Sequence, residues 1–421
     1  MNIIDELEWR GAINQQTDPE GIRKLVEEKS IKLYCGIDPT GDSMHIGHLI
    51  PFIMMKRFQL CGHHPVILIG GATGTIGDPS GRKTERQLQT LEMVQHNVDK
   101  LTKQLKKLLD SDGSDNPVQF VNNYDWTHKI NIIDFLRDYG KHFSINNMLA
   151  KDVVSSRLDG GISFTEFSYQ ILQSLDFHHL FKEEDVQLQI GGSDQWGNIT
   201  AGIDFIHKKE GWDAKAFGST IPLLLKADGT KFGKTAGGAV WLDAEKTTPF
   251  EFYQFWLNTD DKDVIKLLKL FTFLTKEEID GLEIKVKTEP HKRWAQKVLA
   301  FEVTKFVHGM DLLDQVIKIS DALFSGDIKS LTADEIEIGF KNMPTFRASK
   351  EPKNIIDWLV DIGLEPSKRQ AREDISNGAI SINGDRMNDT NAIISINNAI
   401  GGKFIIVRKG KKYNSLVKLV D

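Results

Sequence analysis

Residues 31 to about 220 alternate short apolar runs with longer helical patterns, and this alternation narrows the possible folds more than any other feature. The segments 31–37, 66–69, 118–121 and 186–190 read as strands, most of them ending in glycine or polar residues. Segments 50–60 and 88–109 lie between them with helical spacing. Strand–helix alternation predicts an α/β fold with a doubly wound parallel sheet. Ligands in such folds bind beyond the carboxyl ends of the strands. The polar residues at those ends are Asp38, the stretch 70–78, Asn122 with Asn123, and the stretch 191–195.

The chain has 421 residues, enough for two or three domains. No stretch approaches the roughly 18 consecutive apolar residues of a membrane span, so no membrane partner is expected. The first residues are acidic and lack the order of a signal peptide. Two cysteines, Cys35 and Cys61, exclude a disulfide framework, and a reducing cytoplasmic setting is expected. The net charge of −6 is uneven: residues 350–421 hold 12 Lys and Arg against 9 Asp and Glu, so the acidic excess lies in the body. A basic tail on an acidic body points to an anionic partner.

Asp38-Pro39-Thr40-Gly41 follows the first strand, where Pro39 stops ladder hydrogen bonding. A helix is expected near Gly47, with Pro51 in its first turn. His45 and His48 then share one side of a helix start, beside free backbone N–H groups and the positive end of the dipole. That suits a polyphosphate. A solvated turn and a His-x-x-His metal pair are the alternatives; the further ligands zinc needs are missing, so no metal site is expected.

Lys231-Phe232-Gly233-Lys234-Thr235 lies among Gly229, Gly237 and Gly238, which predicts a loop, 226–238, able to close two ammonium groups over a pyrophosphate. A merely exposed Lys-x-x-Lys loop is the plain alternative. The stretch 70–82 is glycine-rich but has the spacing of neither the P-loop nor the dinucleotide fingerprint. Residues 164–175 read as a helix on which Tyr169, Gln173 and Asp176 fall at i, i+4 and i+7. With apolar neighbours, those polar groups need partners, and a polar ligand would supply them.

Near the C-terminus, Ser367 begins a basic helix carrying Lys368, Arg369 and Arg372. Residues 380–384 then read as a strand entering an Asn-Gly hairpin, followed by Lys409, Lys411 and Lys412.

The residues from Pro39 to His48 resemble the His-Ile-Gly-His region of class I aminoacyl-tRNA synthetases, and the segment 231–235 resembles their lysine-bearing loop in the form found in bacterial-type tyrosyl enzymes. The likeness spans nearly the whole chain. It implies a Rossmann-like catalytic domain at 1–246, an α-helical tRNA-contacting domain at 247–324, a linker at 325–350 and a small α+β RNA-binding domain of ribosomal small-subunit type at 351–421. It implies ATP with Mg2+, L-tyrosine and the tyrosine-accepting tRNA as substrates, and a homodimer.

By the same resemblance Thr40, His45, His48, Arg82, Arg86, Lys231 and Lys234 serve the transfer at phosphorus. Tyr34 and Asp176 bind the phenol; Tyr169, Gln173 and Asp78 bind the ammonium; Gln195 lies near the carboxylate. Cys35, Gly36, Asp38, Gly47 and Asp194 border the nucleotide along with His45, His48 and Lys234. Lys368, Arg369, Arg372, Lys409, Lys411 and Lys412 meet RNA. Arg82 departs mildly from the lysine of some members, and Arg is a poor copy of a point charge. A tryptophan-type enzyme, a catalytically inactive RNA-binding relative, a nucleotidylyltransferase and a nucleophilic role for Cys35 are the competing readings.

Overall fold

A computed structural model of the chain describes residues 2–80, 84, 86–109, 115–155, 157–158, 160–224, 232–235, 238–325, 327–340, 343–410 and 413–420. The chain forms two compact units, Met1–Leu242 with Thr259–Leu299, and Asp243–Asn258 with Ala300–Asp421.

The first unit is built on strands β1 (Gln15–Gln16), β2 (Lys32–Ile37), β3 (His64–Ile69), β4 (Gln119–Asn122), β5 (Val186–Gly192) and β6 (Phe217–Ile221). They lie in the order β1-β6-β5-β2-β3-β4. The pairs β2–β3, β3–β4, β2–β5 and β5–β6 are parallel, and only the edge strand β1 is antiparallel. From β2 the chain winds outward through β3 and β4, then returns to β5 and β6 on the other side. The switch point therefore falls between β2 and β5, where a doubly wound sheet opens its crevice. Leu33, Tyr34, Cys35, Val66, Ile67, Leu188 and Ile190 are all buried, as expected for parallel strands covered on both faces.

Three helices of this unit carry the site and its supports: α1 (Ile46–Leu60), α2 (Phe164–Glu184) and α3 (Asp261–Phe271). α1 begins one residue before Gly47, so Pro51 falls in its second turn and leaves the Gly47 carbonyl without the usual donor.

Residues 247–324 do not form one body. α3 and the helix Lys276–Thr288 belong with the sheet, whereas Pro249–Leu257 and the chain from Ala300 belong to the second unit. The reason is chemical. The last carbonyls of α3 lack helical donors, and two buried arginines of the sheet unit supply them. Arg10 donates to the carbonyls of Lys269 (2.9 Å), Thr272 (3.3 Å) and Leu274 (2.7 Å), and Arg57 of α1 to Lys269 (3.3 Å) and Thr272. Glu6 bridges the two guanidinium groups, at 2.8 Å from Arg10 and 3.0 Å from Arg57.

In the second unit, 325–350 is no plain linker. It holds the helix Ala333–Phe340, with Ile336 and Phe340 buried, and the strand Thr345–Ser349. That strand pairs in parallel with Tyr413–Val420 and joins a five-stranded sheet with Phe404–Lys409, Ile380–Ile382 and Asp385–Arg386. Asn383 and Gly384 both take positive φ (47° and 90°), which the two-residue hairpin turn requires. The helices Ile355–Asp361 and Lys368–Ser376 cover the sheet through Trp358, Leu359, Ile375, Ile405 and Val417.

Candidate active site

The carboxyl ends of β2 and β5, the start of α1 and the inner face of α2 line a cavity of about 910 Å³ in the first unit. Tyr34, Cys35, Gly36, Asp38 and Thr40 reach it from β2 and the turn after it. His45, Gly47 and His48 reach it from α1; Asp78 and Arg86 from the loop after β3; Tyr169, Gln173 and Asp176 from α2; Asp194 and Gln195 from the turn after β5. Arg82 and Lys231 lie outside the described residues, and of Lys234 only the backbone, in the short pair Lys234–Thr235 with Gly238–Ala239, is described.

At the start of α1 the two histidines cap each other. His45 Nδ1 accepts from the Gly47 amide at 3.0 Å, and His48 Nδ1 accepts from the His45 amide at 3.3 Å. Their rings stack with centroids 3.8 Å apart. An imidazole nitrogen that accepts carries no proton, so each neutral ring holds its hydrogen on Nε2. Burial, then the neighbouring His45, pushes the His48 pKa down to about 3, so His48 acts as a neutral donor. The first-turn amides are not left open for an anion as the sequence implies. Ile46 N–H goes to the Val240 carbonyl (3.0 Å), and His48 N–H to the His45 carbonyl (2.9 Å). The imidazoles stand where backbone donors were expected.

On α2 Tyr169 and Asp176 are buried and Gln173 is half-buried, and each makes at least one hydrogen bond. The Tyr169 hydroxyl donates to Asp38 Oδ2 at 2.8 Å, and Thr73 donates to Asp38 Oδ1 at 2.7 Å. Burial raises the Asp38 pKa to about 6, with Asp78 adding to the rise against the two donors. Gln195 Nε2 donates to Asp78 Oδ2 at 2.7 Å, and Gln173 Nε2 donates to Gln195 Oε1 at 3.2 Å. Gln173 Oε1 is a buried acceptor with no partner among the described residues.

Asp176 accepts from Asn123 Nδ2 on Oδ2 and from Trp126 Nε1 on Oδ1, both at 2.9 Å. Burial lifts its pKa to about 7 in spite of these donors. The Tyr34 hydroxyl lines the same cavity, 1 % exposed, and has no partner among the described residues. Leaving a buried hydroxyl unpaired is costly, and a polar group entering the cavity could pair with both Tyr34 and Asp176. Asn123 sits at a strand end that the sequence marks as polar. Trp126 lies on a single turn of helix with no periodicity to announce it.

Cys35 is buried and its thiol is pushed up to about 12, which removes the thiolate a nucleophile needs. In the second unit Lys368, Arg369 and Arg372 are all exposed, and Lys368 pairs at the surface with Asp357 at 2.7 Å. Lys409 is committed inward, 2.8 Å from buried Glu365 and 3.0 Å from Asp374. Lys411 and Lys412 lie outside the described residues.

Residues 26–325 match the family described as tRNA synthetases class I (W and Y), which spans most of the chain and includes every residue of the cavity. The chain belongs to that class. Residues 335–417 match the tyrosine–tRNA ligase SYY-like C-terminal domain. Tyrosine–tRNA ligase 2 of Bacillus cereus (strain ZK / E33L) is 76% identical over 419 residues, covering 100% of both chains. Tyrosine–tRNA ligase 1 of Enterococcus faecalis (strain TX4000 / JH2-2) is 68% identical over 421 residues, again covering 100% of both. A crystal structure of the C-terminally truncated mitochondrial tyrosyl-tRNA synthetase of Aspergillus nidulans superimposes with a TM-score of 0.70 at 33% identity, covering 77% of this chain and 94% of that one. Within its class, then, the chain is a member of the tyrosine–tRNA ligase family and an aminoacyl-tRNA synthetase. Among the described residues no helix is long and apolar enough to cross a membrane.

Proposed function

We propose that the chain joins L-tyrosine to ATP as tyrosyl-adenylate with release of pyrophosphate, then transfers the tyrosyl group to the 3′ end of its tRNA. The observation that carries the choice of amino acid is the buried pair Tyr34–Asp176. One member has a hydroxyl with no partner among the described residues, and the other is a carboxylate oriented by two donors. A phenol can donate to Asp176 and accept from Tyr34. The benzyl group of phenylalanine would leave the Tyr34 hydroxyl unpaired and offer Asp176 no third donor, a heavier loss than a missing methylene. Asp78, Gln173 Oε1 and the Tyr169 oxygen supply acceptors for an α-ammonium, with Gln195 beside the carboxylate.

The substrate carboxylate is already ionised, so activation needs no general base. One of its oxygens attacks the α-phosphorus in line as the bond to the bridging oxygen breaks and pyrophosphate leaves. His45 and His48 present Nε2–H donors to the phosphates, Thr40 adds a hydroxyl, and Arg82, Arg86, Lys231 and Lys234 supply positive charge. Cys35, Gly36, Asp38, Gly47 and Asp194 border the nucleotide. Mg2+ enters with ATP, held mainly by phosphate oxygens and water. In the second step a terminal ribose hydroxyl attacks the adenylate carbonyl and AMP departs.

The basic helix with Arg369 and Arg372, joined by Lys411 and Lys412, meets RNA through phosphates. Lys368 and Lys409 are weaker members of that set, since each has an acidic partner within the chain. The apolar side chains of Ile132, Ile133, Leu136, Ile145 and Phe164 are 54–73% exposed and suit a second copy of the chain as a homodimer partner. The reaction belongs in the cytoplasm, where ATP and tRNA meet. Calorimetric titration tests the reading: tyrosine binds and phenylalanine binds far more weakly. Equal affinities would overturn it.

A further inference from the structure

We infer that Phe271, the last residue of α3, is a positioning residue for the segment 232–235, through Phe232. Its ring packs against that of Phe232, with centroids 5.9 Å apart and planes inclined at 37°. Phe232 stands between Lys231 and Lys234 in the sequence, so a change at Phe271 that acts through Phe232 would fall on the step those two lysines serve in the proposed reaction.

Phe271 is a firm support. It is 0% exposed, and the end of α3 that carries it is clamped by Arg10 and Arg57, each 4% exposed. Arg57 belongs to α1, the helix whose other end presents His45 and His48. One rigid assembly thus carries the imidazole pair at one end and the anchor for the lysine segment at the other.

The backbone beside Phe232 is tied to the same assembly. The Phe232 amide donates to the Leu224 carbonyl at 3.2 Å. Gly233, at φ +88°, lies so close to α1 that an added Cβ would meet Ile46 Cγ1 at 3.0 Å. The Gly233 carbonyl accepts from Val240 at 3.2 Å, and the Val240 carbonyl accepts from Ile46 at 3.0 Å. Backbone contacts set the height of the segment above α1, while the phenyl pair sets its rotation. Phe271 touches no reacting atom; it acts through Phe232, and its effect falls on the step in which charge develops on pyrophosphate.

The inference rests on the reading of the cavity as a site that makes an adenylate. Tyrosine-dependent pyrophosphate exchange by the unaltered chain tests that reading separately. The test of Phe271 is a double-mutant cycle on the full-length chain, using Phe232→Ala, Phe271→Ala and the pair. Stopped-flow fluorescence would give the adenylate-forming rate and the tyrosine dissociation constant. Each single change is expected to slow adenylate formation about tenfold while leaving the tyrosine dissociation constant within about twofold, and the pair is expected to be no slower than either. Phe271→Leu, which keeps apolar bulk without the ring, is expected to fall between. If Phe271→Ala does not fold, Phe271→Leu with Phe232→Leu completes the cycle. Multiplying losses, a loss that falls on tyrosine binding, or an unchanged rate would each overturn the inference.

Discussion

His45 faces Trp241 across an antiparallel bridge, with the ring centroids 6.0 Å apart and the planes inclined at 65°. Two backbone hydrogen bonds flank it, Ile46 N–H to Val240 (3.0 Å) and Leu242 N–H to Met44 (2.9 Å). The chain leaving the lysine segment is therefore paired to the residues that open α1. The two basic motifs, almost two hundred positions apart in sequence, share one backbone frame. Geometry at phosphorus depends on that frame, because in-line transfer is chiefly positioning and charge stabilisation.

His45→Ala removes one N–H donor and the cap of α1 while leaving the tyrosine pocket untouched. The adenylate-forming rate is expected to fall about 10²-fold, with ground-state affinities for tyrosine and ATP within about threefold. Stopped-flow kinetics checks this. Weakened binding with an unchanged chemical rate would show that the imidazole serves the ground state.

The Asp176 carboxyl, lifted by burial to about 7, gives amino-acid choice a pH dependence. The ionised form accepts a hydrogen bond from the phenol, and the neutral form loses that preference. Below the folded value the carboxylate fraction falls about tenfold per pH unit. Discrimination between tyrosine and phenylalanine should therefore shrink on going from pH 8 to pH 6, measured as the ratio of kcat/KM in pyrophosphate exchange. A constant ratio would place the titration elsewhere.

The sign for folding runs the other way from that of a salt-bridged carboxylate. The folded value of Asp176 lies above its ordinary 3.8, so the unfolded chain ionises first. Stability without ligand should fall as pH rises from about 4 through about 7. Asp176→Asn removes that part of the slope, which urea denaturation at several pH values will show.

Two charge changes on the C-terminal unit separate RNA contact from packing. Reversing the exposed pair Arg369→Glu and Arg372→Glu is expected to raise KM for tRNA at least about tenfold and leave pyrophosphate exchange unchanged, since phosphate contacts carry most of the affinity. Lys409→Met strands the buried Glu365 carboxylate and should cost roughly 2 kcal/mol of stability, largely restored by adding Glu365→Gln. Thermal unfolding distinguishes the two cases.

The sheet is legible in the sequence where strands are buried on both faces, because such strands read as unbroken apolar runs. β1 and β6 escape that reading. Gln15–Gln16 has no apolar residue, and β6 buries Ser219 and Thr220 in its pairing. α2 reads as a helix only to residue 175 because His178 and His179 interrupt the apolar pattern; in the fold it runs to Glu184, with His178 paired to Glu210. The residues proposed to meet the ligand announce themselves by type. Those that orient them do not, since Trp126 reaches Asp176 across fifty positions and Phe271 reaches Phe232 across thirty-nine, distances that no periodicity records. Lys409 reads as an RNA contact for the same reason: its partner Glu365 is forty-four positions away.

Exchange of labelled pyrophosphate into ATP, run with the full-length chain and one amino acid at a time, tests the central claim most directly. Tyrosine should support exchange, while phenylalanine and tryptophan at equal concentration should give little above background. No exchange with tyrosine, or equal exchange with tryptophan, would contradict the assignment of Tyr34 and Asp176 as the pair that selects the phenol.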